Sequence, residues 1–183
     1  MKRTSFGLAA ALIILATLPA GAKTPTLSTD LGSTATAAFL GGGLSLNAQV
    51  EIPLAPSWTL DIVPVFSLAS TTGLLTTQVS VQAEGRFWFS GLFAGYPQTR
   101  LDTGLFAGLG AVAAYAYMNG GTPLSLLSVG PAVQAGWRFA FADNGFFLEP
   151  YAGWMVLFGV SLGGGSGAIG QGLFGGLSAG WRF

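Results

Sequence analysis

The 183-residue chain contains no cysteine and no histidine, and only 8% of its residues are charged. An ordinary soluble domain carries about 25% charge. Without Cys and His there are no disulfides, no usual zinc or haem site and no Ser-His or Cys-His nucleophile pair. Catalytic, cofactor-binding and metal-ligating residues are therefore expected to be none, and the chain reads as non-enzymatic. Its seven basic and seven acidic residues cancel, so there is no basic field to hold nucleic acid. What fills the sequence instead is 51% apolar residues and 29 glycines. A soluble surface so poor in charge would aggregate, which points to a life in lipid.

The N-terminus reads as a cleaved signal peptide, residues 1–22. Lys2 and Arg3 form a positive start, Phe6 to Leu18 an apolar core, and Ala20-Gly21-Ala22 a small-residue cleavage site after Pro19. This 13-residue stretch falls short of the roughly 20 apolar residues that span a bilayer, which argues against an uncleaved anchor. No cysteine follows, so lipoprotein anchoring is excluded. Cleavage leaves five basic and seven acidic side chains.

Two stretches, Thr103 to Trp137 and Pro150 to Trp181, lack charge altogether and on hydropathy alone resemble membrane helices. Asn119-Gly120-Gly121-Thr122-Pro123 breaks the first and the glycine-rich run 163–167 the second. Neither carries a 3.6-residue stripe. Period-two alternation is evident instead, the mark of strands. Val79, Val81, Ala83, Gly85, Phe87 and Phe89 alternate with Gln78, Ser80, Gln82, Glu84, Arg86 and Trp88. Leu44, Leu46, Ala48, Val50 and Ile52 likewise alternate with Ser45, Asn47, Gln49 and Glu51. Within lipid only helices or closed β-barrels satisfy the backbone, and alternating segments of about ten residues fit a barrel.

Seven strands are visible, at 44–53, 58–69, 77–90, 103–118, 127–141, 146–159 and 172–183. Barrels of this type have even strand numbers, so an eighth is required, and Thr34 to Leu40 is the place left for it. The expectation is an all-β, eight-stranded antiparallel up-and-down transmembrane β-barrel over 34–183. Residues 23–33 would be a short periplasmic N-terminal segment. Turns 53–57, 91–102 and 142–145 fall on the periplasmic side; 41–43, 70–76, 119–126 and 160–171 fall outside. Pro64, Pro131 and Pro150 each lack a ladder donor. Bulges at these prolines would reverse the facing beyond them, so the facing there is left open.

The ending Ser178-Ala179-Gly180-Trp181-Arg182-Phe183 resembles the terminal strand of bacterial outer-membrane barrels. The segments Gly104 to Gly110 and Gly145 to Gly153 resemble small opacity-type and OmpX-like barrels. The resemblance is one of pattern over about 150 residues and implies architecture more than function. It implies a bacterial outer-membrane location and lipid as a partner. It also implies an assembly signal at Leu177, Ala179, Trp181 and Phe183, read by the barrel assembly machinery. The chain departs from that signal's usual pattern in carrying Ser178 where a glycine is common. Barrel enzymes of the lipase, deacylase, palmitoyltransferase and protease kinds share the architecture but use a histidine, which this chain lacks.

Charge on a lipid-facing strand costs about 2–4 kcal/mol near the midplane, so strand charges should point inward. Glu51, Asp61, Glu84, Arg86, Arg138, Glu149 and Arg182 all have inward parity and lie within a few residues of a periplasmic turn. Lys23, Asp30, Arg100, Asp102 and Asp143 fall in the tail, in turns or at a strand margin. The seven are expected to form an ion-pair network that fills and seals the lumen. Acid/base chemistry is the weaker reading, because neighbouring arginines keep the carboxylates ionised.

The outer half of the lumen, with Ser45, Val65, Ser67, Ser80, Ala114, Ala116, Ser128, Met155 and Leu157, is uncharged and is either packed or a small pocket. Aromatics near both strand ends fit two interfacial girdles. Gly108-Leu109-Gly110-Ala111-Val112-Ala113 matches a dinucleotide fingerprint, yet no acid follows at the required spacing. The expected role is structural or surface-interacting. The alternative is a narrow pore or a carrier of a small hydrophobic ligand of unknown identity in the outer lumen.

Overall fold

The structure is a computed structural model that describes residues 26–30, 44–55, 57–71, 74–89, 103–120, 123–141, 145–163 and 167–182. The strands are β1 (Thr26–Asp30), β2 (Leu44–Asn47), β3 (Gln49–Ala55), β4 (Trp58–Thr71) and β5 (Leu74–Trp88). They continue with β6 (Gly104–Asn119), β7 (Leu124–Ala140), β8 (Phe146–Ser161) and β9 (Ala168–Arg182). All pairings are antiparallel between chain neighbours, except that β1 joins β3 to β9. β2 and β3 both pair with β4 as one interrupted strand, so the hydrogen bonds run through a ring of eight.

The closing strand lies at Thr26–Asp30, inside the segment expected to be a tail. The proposed eighth strand at 34–40 lies outside the described residues, as do the signal peptide and Phe183. Thr26, Ser28 and Asp30 are buried while Thr29 is exposed, so β1 is a period-two strand whose inward positions are polar. A search for apolar alternation passes over Thr-Leu-Ser-Thr-Asp. Leu27 pairs with Val50 on one side and Trp181 on the other, which removes both open edges.

The prolines leave register intact. Pro64 opposes Val81, and Pro150 opposes Leu177, with no shift on either side. β7 and β8 keep one register from Val129↔Phe158 to Ala132↔Met155 across Pro131. Pro64 instead explains the break between β2 and β3. Ala48 N donates to Pro64 O at 3.3 Å, but Pro64 has no N–H to return the bond. The register shift falls between Pro53 and Ala55, beside the tight turn into β4. Facing therefore holds along each long strand.

That constancy separates two surfaces. Outward positions are apolar and exposed, among them Leu109 (66%), Val133 (47%) and Leu173 (81%). Inward positions are small, polar or charged, joined by a few large apolar side chains such as Trp88, Phe106 and Phe147. Glycine makes room on the inward side: a Cβ at Gly108 would collide with the Glu84 carboxylate, and one at Gly180 with the Phe147 ring. Gly145, at φ +74°, turns the chain into β8 so that its carbonyl accepts from Arg182 N at 2.9 Å.

If β1 closes the ring, deleting residues 26–30 leaves β3 and β9 with free edges. We expect the refolded deletion variant to lose cooperative thermal unfolding, as followed by circular dichroism in detergent. Full retention of the parent transition would show that another segment closes the sheet.

Candidate functional site

The interior is crossed by a layer of six ionisable side chains, supplied by the lower part of the ring near the β3–β4 and β7–β8 turns. Register builds it. Glu51 on β3 lies opposite Asp61 on β4, which lies opposite Glu84 on β5. Gly136↔Tyr151 and Phe139↔Leu148 set the β7–β8 register that brings Arg138 opposite Glu149. Period-two alternation then points all of these chains to the same side of the sheet.

Arg86 sits among four carboxylates. Its Nε lies 2.7 Å from Glu84 Oε1, its Nη2 2.8 Å from Asp61 Oδ2 and its Nη1 2.8 Å from Glu149 Oε1. Glu51 Oε2 is 3.8 Å from Nη1. Arg138 bridges two of the same acids. Its Nη2 is 2.5 Å from Glu51 Oε2, and its Nε donates to Glu149 Oε2 at 2.8 Å. The planar guanidinium, with five fixed donors, suits such sharing. Glu84 also accepts from Gln134 Nε2 at 2.6 Å and Gln82 Nε2 at 3.0 Å. These contacts tie β5 to β8 and β7 to β3, across the ring rather than along it.

Aromatic rings enclose the charges. The Arg138 guanidinium lies 4.6 Å from the Trp88 ring centre and 4.1 Å from that of Phe147; Arg86 lies 4.5 Å from Phe106. Trp88 is itself fixed by donating from Nε1 to Thr59 Oγ1 at 3.0 Å. All six charged side chains are at most 3% exposed. Such burial is tolerable only because the charges are paired and hydrogen-bonded. Asp61 is the exception: neither carboxylate oxygen has a hydrogen-bond partner among the described residues, and Oδ2 is held by its ion-pair contact with Arg86.

Of the seven charges singled out by parity, six meet here. Arg182 stands opposite Thr26 near the end of β9, half-buried. Asp30, assigned to the tail on sequence, lies on the inward face of β1 instead. Its N–H donates to Asn47 Oδ1 at 2.6 Å, and its Oδ2 accepts from Tyr151 OH at 2.7 Å. Gln82, Gln134, Trp88 and Tyr151 were also passed over as partners. Their signal was available: Gln82 and Trp88 share the inward parity of Glu84, Gln134 that of Arg138, and Tyr151 that of Glu149. Of the assembly-signal positions, Leu177 and Trp181 are exposed on the outward face and Ala179 half-buried there.

Chemically the layer is a set of paired acidic and basic groups, all but Asp61 also hydrogen-bonded, which holds strands together and fills the passage. No protein-family model matches the chain, and no curated protein matches it significantly.

Removing Arg86 leaves Asp61 and Glu84 without a cation, whereas removing Arg138 leaves Glu51 and Glu149 still within reach of Arg86. Breaking a buried ion pair from one side costs about 3–5 kcal/mol, so Arg86→Met and Arg138→Met should both lower the urea midpoint, Arg86→Met the more. Equal midpoints for both variants and the parent would dismiss the layer as a source of stability.

Proposed function

We propose that the chain is a non-enzymatic integral outer-membrane β-barrel protein with a structural or surface-interaction role, its lumen sealed by the Arg86–Arg138 layer. The observation that carries this reading is the inversion of the usual distribution of polarity. Strand charges lie inside, while the exterior exposes Leu105, Leu109, Val129, Val133, Phe158 and Leu173. Water would face that surface unfavourably, at roughly 25 cal/mol per Å² of apolar area. Hydrocarbon would not. A closed ring also meets the demand of a bilayer that each backbone donor and acceptor be satisfied within the protein.

Aromatic placement supports the same setting. Trp58 packs edge-on against Phe87 at 5.1 Å between centroids, Phe141 lies 5.6 Å from Phe146, and Phe146 lies 6.2 Å from Trp181. These rings gather at the lower strand ends, where a belt at the lipid headgroups is expected. The sealed lower lumen favours a structural or surface role over steady conduction. The absent histidine favours a non-catalytic one. On this reading the outward row of Leu177, Ala179 and Trp181, with Phe183 beyond the described residues, is what the assembly machinery reads.

The direct test is electrophoretic mobility of outer-membrane fractions, unheated against boiled. A folded barrel migrates differently from its boiled form; a soluble fraction without a shift would overturn the assignment. A sharper test uses Val133, exposed near the middle of β7. Val133→Arg should cost about 2–4 kcal/mol in lipid vesicles, although the same change on a water-facing surface is almost neutral. A neutral result in vesicles would count against lipid at this face.

A further inference from the structure

On the upper side of the ion-pair layer the ring encloses a cavity of about 250 Å³, with Gln49, Gln82, Gln134, Val65, Val112 and Met155 on its wall. Of the four glutamines on the wall, Gln78 being the other, these three differ in how their amides are used. Gln82 and Gln134 both spend their NH2 groups on Glu84, so each turns its amide oxygen away from that carboxylate. Gln49 is the reverse. Its Oε1 accepts from Ser178 Oγ at 3.4 Å, while its Nε2 is buried with no hydrogen-bond partner among the described residues. The residue is only 4% exposed, and a buried donor without a partner is costly. Among the wall's polar groups, which also include Asn47, Gln78 and Ser80, are thus one uncommitted donor and two amide oxygens, set beside an aliphatic side.

Charge narrows the class of molecule that fits. The wall carries one charge of each sign, Arg86 and Asp30, and the Arg86 guanidinium is already held by Glu84, Asp61 and Glu149, so it offers no free counter-charge to an anion. The carboxylate on the wall, Asp30, already accepts from Tyr151, which leaves the glutamines as the neutral anchoring groups. The volume lies below the roughly 300–1,000 Å³ of drug-sized sites, so the ligand is of fragment size.

We propose that this cavity binds a small uncharged amphipathic molecule bearing a carboxamide or hydroxyl group. Its oxygen accepts from Gln49, its N–H or O–H donates to Gln82 or Gln134, and its alkyl part packs on Val65, Val112 and Met155. The inference requires only the interior of the ring, so its failure leaves the membrane reading untouched.

Calorimetric titration of hexanamide, hexanoate and hexylammonium into the full chain, folded in detergent, tests it. Hexanamide should bind saturably at one site per chain, and more tightly than either ion. Gln49→Leu, which removes the unpartnered donor together with the long 3.4 Å contact from Ser178, should keep the cooperative unfolding transition while weakening hexanamide about tenfold or more. Met155→Trp, which fills the space, should abolish binding by a route independent of the Gln49 amide. The proposal is overturned by tighter binding of either ion, by undiminished binding to Gln49→Leu, or by no saturable hexanamide binding, which would leave only water in the cavity.

Discussion

The Arg86 guanidinium is the point on which the interior depends. Its contacts to Glu84, Asp61 and Glu149 are all within 2.8 Å, and they come from three different strands. An ion this deeply buried loses several kcal/mol of hydration. Only simultaneous access to several carboxylates offsets that loss, and simultaneous access exists only when the sheet is closed. Ring closure and ion pairing are therefore one event viewed from two sides. The backbone ladder brings β3, β4, β5 and β8 into register, and the charges penalise any register that does not bring them together. A slip of one residue in any of these strands would turn that strand's charges outward.

The inward glycines follow from the same constraint. Long charged chains and several aromatic rings, Trp88, Phe106 and Phe147 among them, must share the inside of a ring of only eight strands, where side chains suffice to fill the space. Gly108 leaves room for Glu84, Gly136 for Phe106 and Gly180 for Phe147. The chain's high glycine content is thus partly a record of where its large inward residues lie. The outward face has no such crowding, and there Val, Leu, Phe and Trp stand where nothing in the protein covers them.

Much of this was legible in the sequence because period two is an exact rule. Parity alone placed Glu51, Asp61, Glu84, Arg86, Arg138 and Glu149 on the inward face, and the turns set their common height. What parity could not supply was the closing strand. β1 holds one apolar residue, Leu27, and is identified by the register it completes with Val50 and Trp181, a non-local fact absent from any window of five residues. Asp30 was misplaced for the same reason. Pairing partners such as Gln82 and Gln134 were visible as inward residues but not as ligands of Glu84, since that depends on side-chain reach across strands.

The prolines show how the ring tolerates local defects. Sequence reasoning treats a proline in a central strand as a bulge or a misassignment, because a lost donor leaves a carbonyl on the neighbouring strand unpaired. Here Pro64 costs one return bond to Ala48 and nothing more, since Leu46↔Phe66 before it and Val50↔Ile62 beyond it obey the same register. A bulge would preserve the count of hydrogen bonds locally but reverse every residue beyond it. On β4 that reversal would carry Asp61 away from Arg86. One missing backbone bond, worth about 1 kcal/mol net, is a smaller loss than an arginine left without one of its carboxylates. The ion-pair layer thus accounts for the straight passage of the strand through a residue that ordinarily ends or bends one.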